Sequence, residues 1–157
     1  MISVIVPTLN HEAVLGRALA PLVSAAISGL VREVVVADGG SSDATLEIAD
    51  DAGCRILTDQ GVAAAAAAAV GDWLLILPPR VQLLPGWEAV VREHVERRPG
   101  EGALLAPIDP EAGWLARLLG RPGSEPARLV RKSAHDAGKS GPMRRIPGCA
   151  IVIRRGA

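Results

Sequence analysis

The chain is 157 residues long and 49% hydrophobic, enough for one domain with a buried core. It has no Phe or Tyr and only three Trp, so that core must be built from Val, Leu, Ile and Ala. Its formal net charge is zero, its basic residues are not interleaved with aromatics, and no known nucleic-acid module is present, so nucleic acid is not an expected partner.

Met1-Ile2-Ser3-Val4 leads straight into an apolar run, without the basic region and cleavage site of a secretory signal. The longest apolar stretch, 13–30, is broken by Arg17 and Pro21 and reads as a packed helix. No segment carries the roughly 20 apolar residues that span a bilayer, so a soluble, cytoplasmic protein is expected. Cys54 and Cys149 lie in separate apolar runs without metal-ligand spacing and are expected to be reduced, buried thiols.

Apolar runs at 2–6, 34–37, 54–57 and 73–77 are bounded by turn residues and separated by helical stretches at about 12–29, 43–52, 61–70 and 87–97. That alternation predicts an α/β domain with a mostly parallel, doubly wound sheet covered by helices on both faces. The unbroken alanines of 63–69 form a helix whose small side chains let it lie close to the sheet. A weaker strand follows at 103–106, then short helices near 111–119 and 126–137, a Gly/Pro loop at 120–126, and a last strand at 150–153.

Two passages stand where chemistry is expected. Asp38-Gly39-Gly40-Ser41-Ser42-Asp43 follows the run Val34-Val35-Val36-Ala37, which puts Asp38 at the carboxyl end of a buried strand. Ligands of open α/β sheets bind at that edge. The glycines permit a tight turn, and Ser41, Ser42 and Asp43 can cap the next helix. A well-capped turn with no ligand explains the same residues. The second passage, Val4-Ile5-Val6-Pro7-Thr8-Leu9-Asn10, ends the first strand.

Together these passages resemble the family 2 glycosyltransferases of the GT-A fold, many of them bacterial. The resemblance continues through Gly71-Asp72-Trp73-Leu74-Leu75-Ile76-Leu77 and Leu84-Pro85-Gly86-Trp87, and loosens through Leu118-Leu119-Gly120 and the stretch 129–138. It implies one GT-A domain over 1–157, with a nucleotide-binding half at 1–110 and a reduced, basic, acceptor-side half at 111–157. It also implies a UDP- or GDP-sugar as donor, with Pro7, Thr8, Asn10 and Asp38 contacting base and ribose. Relatives carry polar residues on the third helix facing the donor; here that helix is alanine.

Where relatives place an acidic metal-binding pattern after the fourth strand, this chain reads Leu77-Pro78-Pro79-Arg80. Neither proline nor arginine ligates a cation, so no Mg2+ or Mn2+ site is expected. The usual acidic base is missing as well: downstream of Asp136 there is no Asp or Glu, and His135 and Asp136 are the only nearby proton acceptors. Two readings follow. One is a pseudoenzyme, catalytically impaired and acting as a binding or regulatory partner, with a protein partner or a second copy of itself. The other is an active, metal-independent transferase in which Arg80, aided by Arg144 and Arg145 at the same sheet edge, neutralises the diphosphate. Without a general base it would suit a retaining mechanism or slow donor hydrolysis.

Charge is lopsided along the chain. Residues 1–111 hold seven basic against fifteen acidic residues, a net charge of −8, whereas 112–157 hold ten against two, a net charge of +8. The basic end could dock on the acidic half, hold an anionic ligand, or touch an anionic membrane surface peripherally.

Overall fold

The computed structural model describes residues 1–108, 125–138 and 141–152. In chain order the elements are β1 (Ile2–Thr8), α1 (Glu12–Ile27), β2 (Val31–Asp38), α2 (Thr45–Asp51), β3 (Arg55–Thr58), α3 (Gly61–Ala68) and β4 (Trp73–Ile76). They continue with β5 (Val81–Leu83), α4 (Trp87–Arg97), β6 (Gly102–Ile108), β7 (Ala127–Arg131), α5 (Lys132–Asp136) and β8 (Met143–Val152). No helix among the described residues is long and apolar enough to cross a membrane.

One eight-stranded sheet runs in the order β3-β2-β1-β4-β7-β6-β8-β5. Its first half, β3-β2-β1-β4, is parallel throughout. Strand β7 is antiparallel to β4 and β6, β8 is parallel to β6, and β5 closes the far edge antiparallel to β8. Consequently β1, β2, β4, β6 and β8 all point the same way.

Successive residues of the central strands enter opposite cores, which is why these strands read as unbroken apolar runs. Val4, Val6, Val36 and Leu75 pack with Leu15, Leu19 and Leu22 of α1 and with Val91 of α4. Ile5, Val35, Ala37 and Leu74 pack on the other face against Ala65 and Ala66 of α3. Each buried Val or Leu contributes roughly 1.5–3 kcal/mol. At the carboxyl end of α3, Lys132 donates from Nζ to the carbonyls of Ala67, at 3.0 Å, and Ala69, satisfying acceptors the helix leaves open.

Three expectations need correction. The helix read over 126–137 begins as strand β7, and only Lys132–Asp136 is helical. Ala127 and Leu129 enter one core and Val130 packs against the other, between β4 and β6, and that pairing overrides their local preference. The last strand starts at Met143 rather than 150, and the short strand β5 follows Arg80, where no element was expected. The sheet is therefore mixed beyond β4. The helix expected near 111–119 and most of the loop at 120–126 lie outside the described residues.

Candidate functional site

Thr8 and Asp38 end β1 and β2 side by side, paired in register. Both side chains are buried, and Thr8 Oγ1 donates to Asp38 Oδ1 at 2.8 Å. Asp38 Oδ1 also accepts from Ser41 Oγ, while Oδ2 accepts the N–H of Gly40 at 2.9 Å and of Ser41 at 2.7 Å. Four donors fill the roughly four lone-pair positions of one carboxylate. Burial opposes ionisation of Asp38. The Ser41 hydroxyl and amide, the Thr8 hydroxyl and the Gly40 amide together outweigh it, so the carboxyl lies below its ordinary range.

The loops after β1 and β2 are stitched to each other by side chains. Asn10, at φ 55, accepts the Ser42 N–H on Oδ1 at 2.9 Å, and its own N–H donates to Ser41 Oγ at 2.9 Å. The His11 N–H donates to Thr45 Oγ1 at 2.8 Å, and the Ala44 N–H to Glu12 Oε2 at 2.9 Å. The third loop joins through the backbone, where the Asp59 N–H meets the Asp38 carbonyl at 2.9 Å. Gly40, at φ 97, supplies the left-handed turn that brings its amide onto Asp38. Ser41 and Ser42 thus bridge two loops instead of capping α2. Asp43 alone serves the first turn, accepting from the Thr45 amide at 3.0 Å and from the Thr45 hydroxyl. Sequence reading named these residues but missed the bridges, because a hydroxyl's partner more than 30 positions away leaves no local signal.

Arg80 lies at the same edge. Ile76 pairs with Ile5, and the Leu77 N–H still bonds the Ile5 carbonyl at 2.8 Å, so 78–80 leave the sheet level with Pro7 and Thr8. Arg80 is exposed and forms no hydrogen bond or ion pair among the described residues.

The other candidates lie elsewhere. Arg144 and Arg145 pair with Ala103 and Leu104 at the start of β6, whereas the end of β8 near Arg80 is Ala150–Val152. At about 3.3 Å per residue the two arginines sit on the order of 20 Å back along the strand, at the opposite edge. Their expected place beside Arg80 is thus corrected: the longer β8 begins with them. His135 and Asp136 are also at that far edge, because antiparallel β7 runs from Arg128 beside Ile76 to Arg131 beside Trp73 before α5 begins. There His135 Nδ1 stands 3.8 Å from Asp136 Oδ1. The structure therefore gathers Pro7, Thr8, Asn10, Asp38 and Arg80 and separates the rest.

The model of glycosyl transferase family 2 matches residues 3–155. The chain belongs to that family. Solved structures of low identity share its fold. Residues 1–349 of TarS from S. aureus are 17% identical with a TM-score of 0.69, over 87% of this chain and 49% of that one. Glucosyl-3-phosphoglycerate synthase from Mycobacterium tuberculosis, in complex with Mn2+, uridine diphosphate and phosphoglyceric acid, is 19% identical with a TM-score of 0.66. That match covers 99% of this chain and 72% of the synthase. The chain thus spans about half of the TarS segment. No curated protein matches it. Within the family 2 fold seen here, the parallel half of the sheet carries the loops tied together by Asp38, and the residues leaving β4 are Pro78, Pro79 and Arg80.

Proposed function

We propose that this family 2 domain keeps a nucleotide-sugar pocket at the carboxyl edge of β1, β2 and β4. In this reading it is impaired in sugar transfer and serves as a binding or regulatory partner. The observation that carries it is Arg80, exposed and unpaired among the described residues, leaving β4 level with Pro7 and Thr8. A guanidinium grips phosphate oxygens bidentately, so Arg80 is suited to the diphosphate, while Thr8, Asn10 and the backbone around Pro7 are suited to base and ribose.

Among the described residues, no group of His, Cys, Asp or Glu side chains gathers at this corner to hold a divalent cation. Pro78 and Arg80 offer no ligand, and Asp38, the buried carboxylate nearby, has its acceptor positions filled by Thr8, Gly40 and Ser41. Asp38 acts as a positioning residue: its charge fixes the loop whose outer surface would meet the donor. The two proton acceptors expected from the sequence, His135 and Asp136, occupy the far edge. That geometry favours impairment over activity.

Melting curves with UDP- and GDP-sugars, with and without Mn2+, test this reading. The expected result is a rise in Tm that is independent of Mn2+ and lost in Arg80→Ala, with no sugar transfer or hydrolysis. A shift that requires Mn2+, or that survives Arg80→Ala, overturns it. Metal-free turnover abolished by Arg80→Ala would establish the second reading, an active metal-independent transferase; the free guanidinium of Arg80 is the observation in its favour.

A further inference from the structure

Arg144 and Arg145 are not absorbed by the donor pocket, and their surroundings give them another use. They line a cavity of about 850 Å3 between β8 and α4, together with Arg97, the last residue of α4, and Arg98 just beyond it. A second cavity of about 400 Å3 adjoins it and is lined by Arg128, Arg131 and His135. Gly100 and Glu101 stand between them: Arg128 and Val130 put the smaller cavity on the α3 face of the sheet, whereas α4 walls the larger one on the other face, so the larger is a basin of its own at the sheet edge opposite Asp38. Among the described residues, four arginines line it, Arg97, Arg98, Arg144 and Arg145, against two carboxylates, Glu93 and Glu101.

Two of those arginines are partly engaged, Arg97 with Glu93 at 2.8 Å and Arg98 with Glu101 at 3.2 Å. Arg144 and Arg145 are exposed and have no ion pair among the described residues. The wall between the cavities is rigid. Buried His94 holds the Glu101 carbonyl through Nε2 at 2.9 Å, and its ring meets Trp73 edge-on at 6.3 Å. Arg131 in turn lies over the Trp73 ring at 5.8 Å. The basin is therefore preformed, and gathering like charges on it is unfavourable unless an anion neutralises them.

Guarding an open strand edge is the competing account. Strand β5 pairs only with Ala150–Val152, so among the described residues the first half of β8 has no strand on one side, and charges there discourage pairing with another chain. That accounts for Arg144 and Arg145. It does not account for Arg97 at the end of α4 or Arg98 next to it, which face them across the cavity.

We infer that the basin between α4 and β8 binds a compact oligophosphate, a small molecule carrying two or more adjacent phosphoryl groups. Its volume falls in the range of small-ligand clefts, and guanidinium groups on facing walls suit phosphoryl oxygens spaced a few ångströms apart. A concave site suits such a ligand better than a flat membrane. The site stands apart from the donor pocket and does not depend on it.

Isothermal titration with inorganic tripolyphosphate, at low and at physiological ionic strength, tests the inference. Wild type and Arg80→Ala are expected to bind equally, with affinity falling as salt rises. Arg144→Ser combined with Arg145→Ser should weaken binding about tenfold or more, with Tm unchanged. Arg97→Ser with Arg98→Ser should do the same, and decides the matter should the first pair fail to fold. Absence of binding at low salt, wild-type affinity in both double variants, or loss in Arg80→Ala would each overturn it. So would tighter binding to phosphatidylglycerol vesicles that tripolyphosphate does not displace, and competition by UDP but not ADP would return the ligand to the donor pocket.

Discussion

Thr8 Oγ1 and Asp38 Oδ1 meet at 2.8 Å where β1 and β2 end in register, so two loops far apart in sequence share one buried anion. Asp38→Asn keeps the shape but turns an amide NH2 toward the Gly40 or Ser41 N–H, leaving donors without an acceptor. The expected loss is about 3 kcal/mol by urea denaturation. Thr8→Val, which removes one donor, should cost about 1 kcal/mol and leave the other three in place.

The same carboxyl sets a pH signature. Asp38 ionises more readily folded than unfolded, so its contribution is complete above the ordinary value of 3.8 and is lost as pH falls through the lower folded value. Burial also opposes ionisation of Glu33, but the Val70 N–H, Ser3 and Arg55 outweigh it, so Glu33 acts in the same direction, below its ordinary 4.5. The stability gap between wild type and Asp38→Asn should stay constant from neutral pH to about pH 5 and close as pH drops below 3.8. A gap that widens in acid would contradict this.

The parallel half of the fold was legible because each of its strands is buried on both faces and writes an unbroken apolar run, as Val34-Val35-Val36-Ala37 does. Asp38 and Thr8 were legible because strand ends are marked by turn residues. What escaped was the antiparallel half. Arg128 and Arg131 make 127–131 look like the amphipathic helix that follows, and nothing local reveals that Leu75 and Ala103 flank Leu129 on either side. The misplaced Arg144 and Arg145 have the same origin: an edge strand half open to solvent carries exposed, charged positions and does not read as a strand until Cys149.

Gly71 and Gly16 should respond oppositely to alanine. A Cβ on Gly71 would stand 2.7 Å from the Ser3 amide nitrogen and 3.0 Å from the Ile2 carbonyl carbon, both backbone atoms that cannot yield cheaply. It would also press on Ser3 Oγ, which accepts the Gly71 N–H at 2.9 Å and donates to Glu33 at 2.7 Å. Gly71→Ala is expected to destabilise by about 1–3 kcal/mol. Gly16 lies inside α1 with nothing near its Cβ direction, so Gly16→Ala should stabilise by about 0.5–1 kcal/mol. Thermal melts of the two variants check both signs.

Cys54 and Cys149 should behave as inert thiols. Burial pushes the Cys54 pKa up to about 11 and raises that of Cys149 as well. At pH 8 about one Cys54 in a thousand is then thiolate, so alkylation should run on the order of a hundredfold slower than in the unfolded chain. Labelling kinetics with iodoacetamide, native against urea-unfolded, measure this. Rapid native labelling of Cys54 would mean that the α2–β3 corner opens readily.

Asn10 separates backbone strain from ligand contact. Its φ of 55 is tolerated by asparagine and free for glycine, but costs alanine about 1 kcal/mol. Both replacements remove the bond from the Ser42 N–H to Oδ1, worth about 1 kcal/mol. Asn10→Ala should therefore be less stable than Asn10→Gly by about 1 kcal/mol, although the two lack the same amide. If the amide also serves the donor pocket, the nucleotide-sugar shift in Tm will shrink equally in both variants despite their unequal stabilities. If its role is confined to holding the loops, the shift will follow stability, and Asn10→Gly will keep most of it.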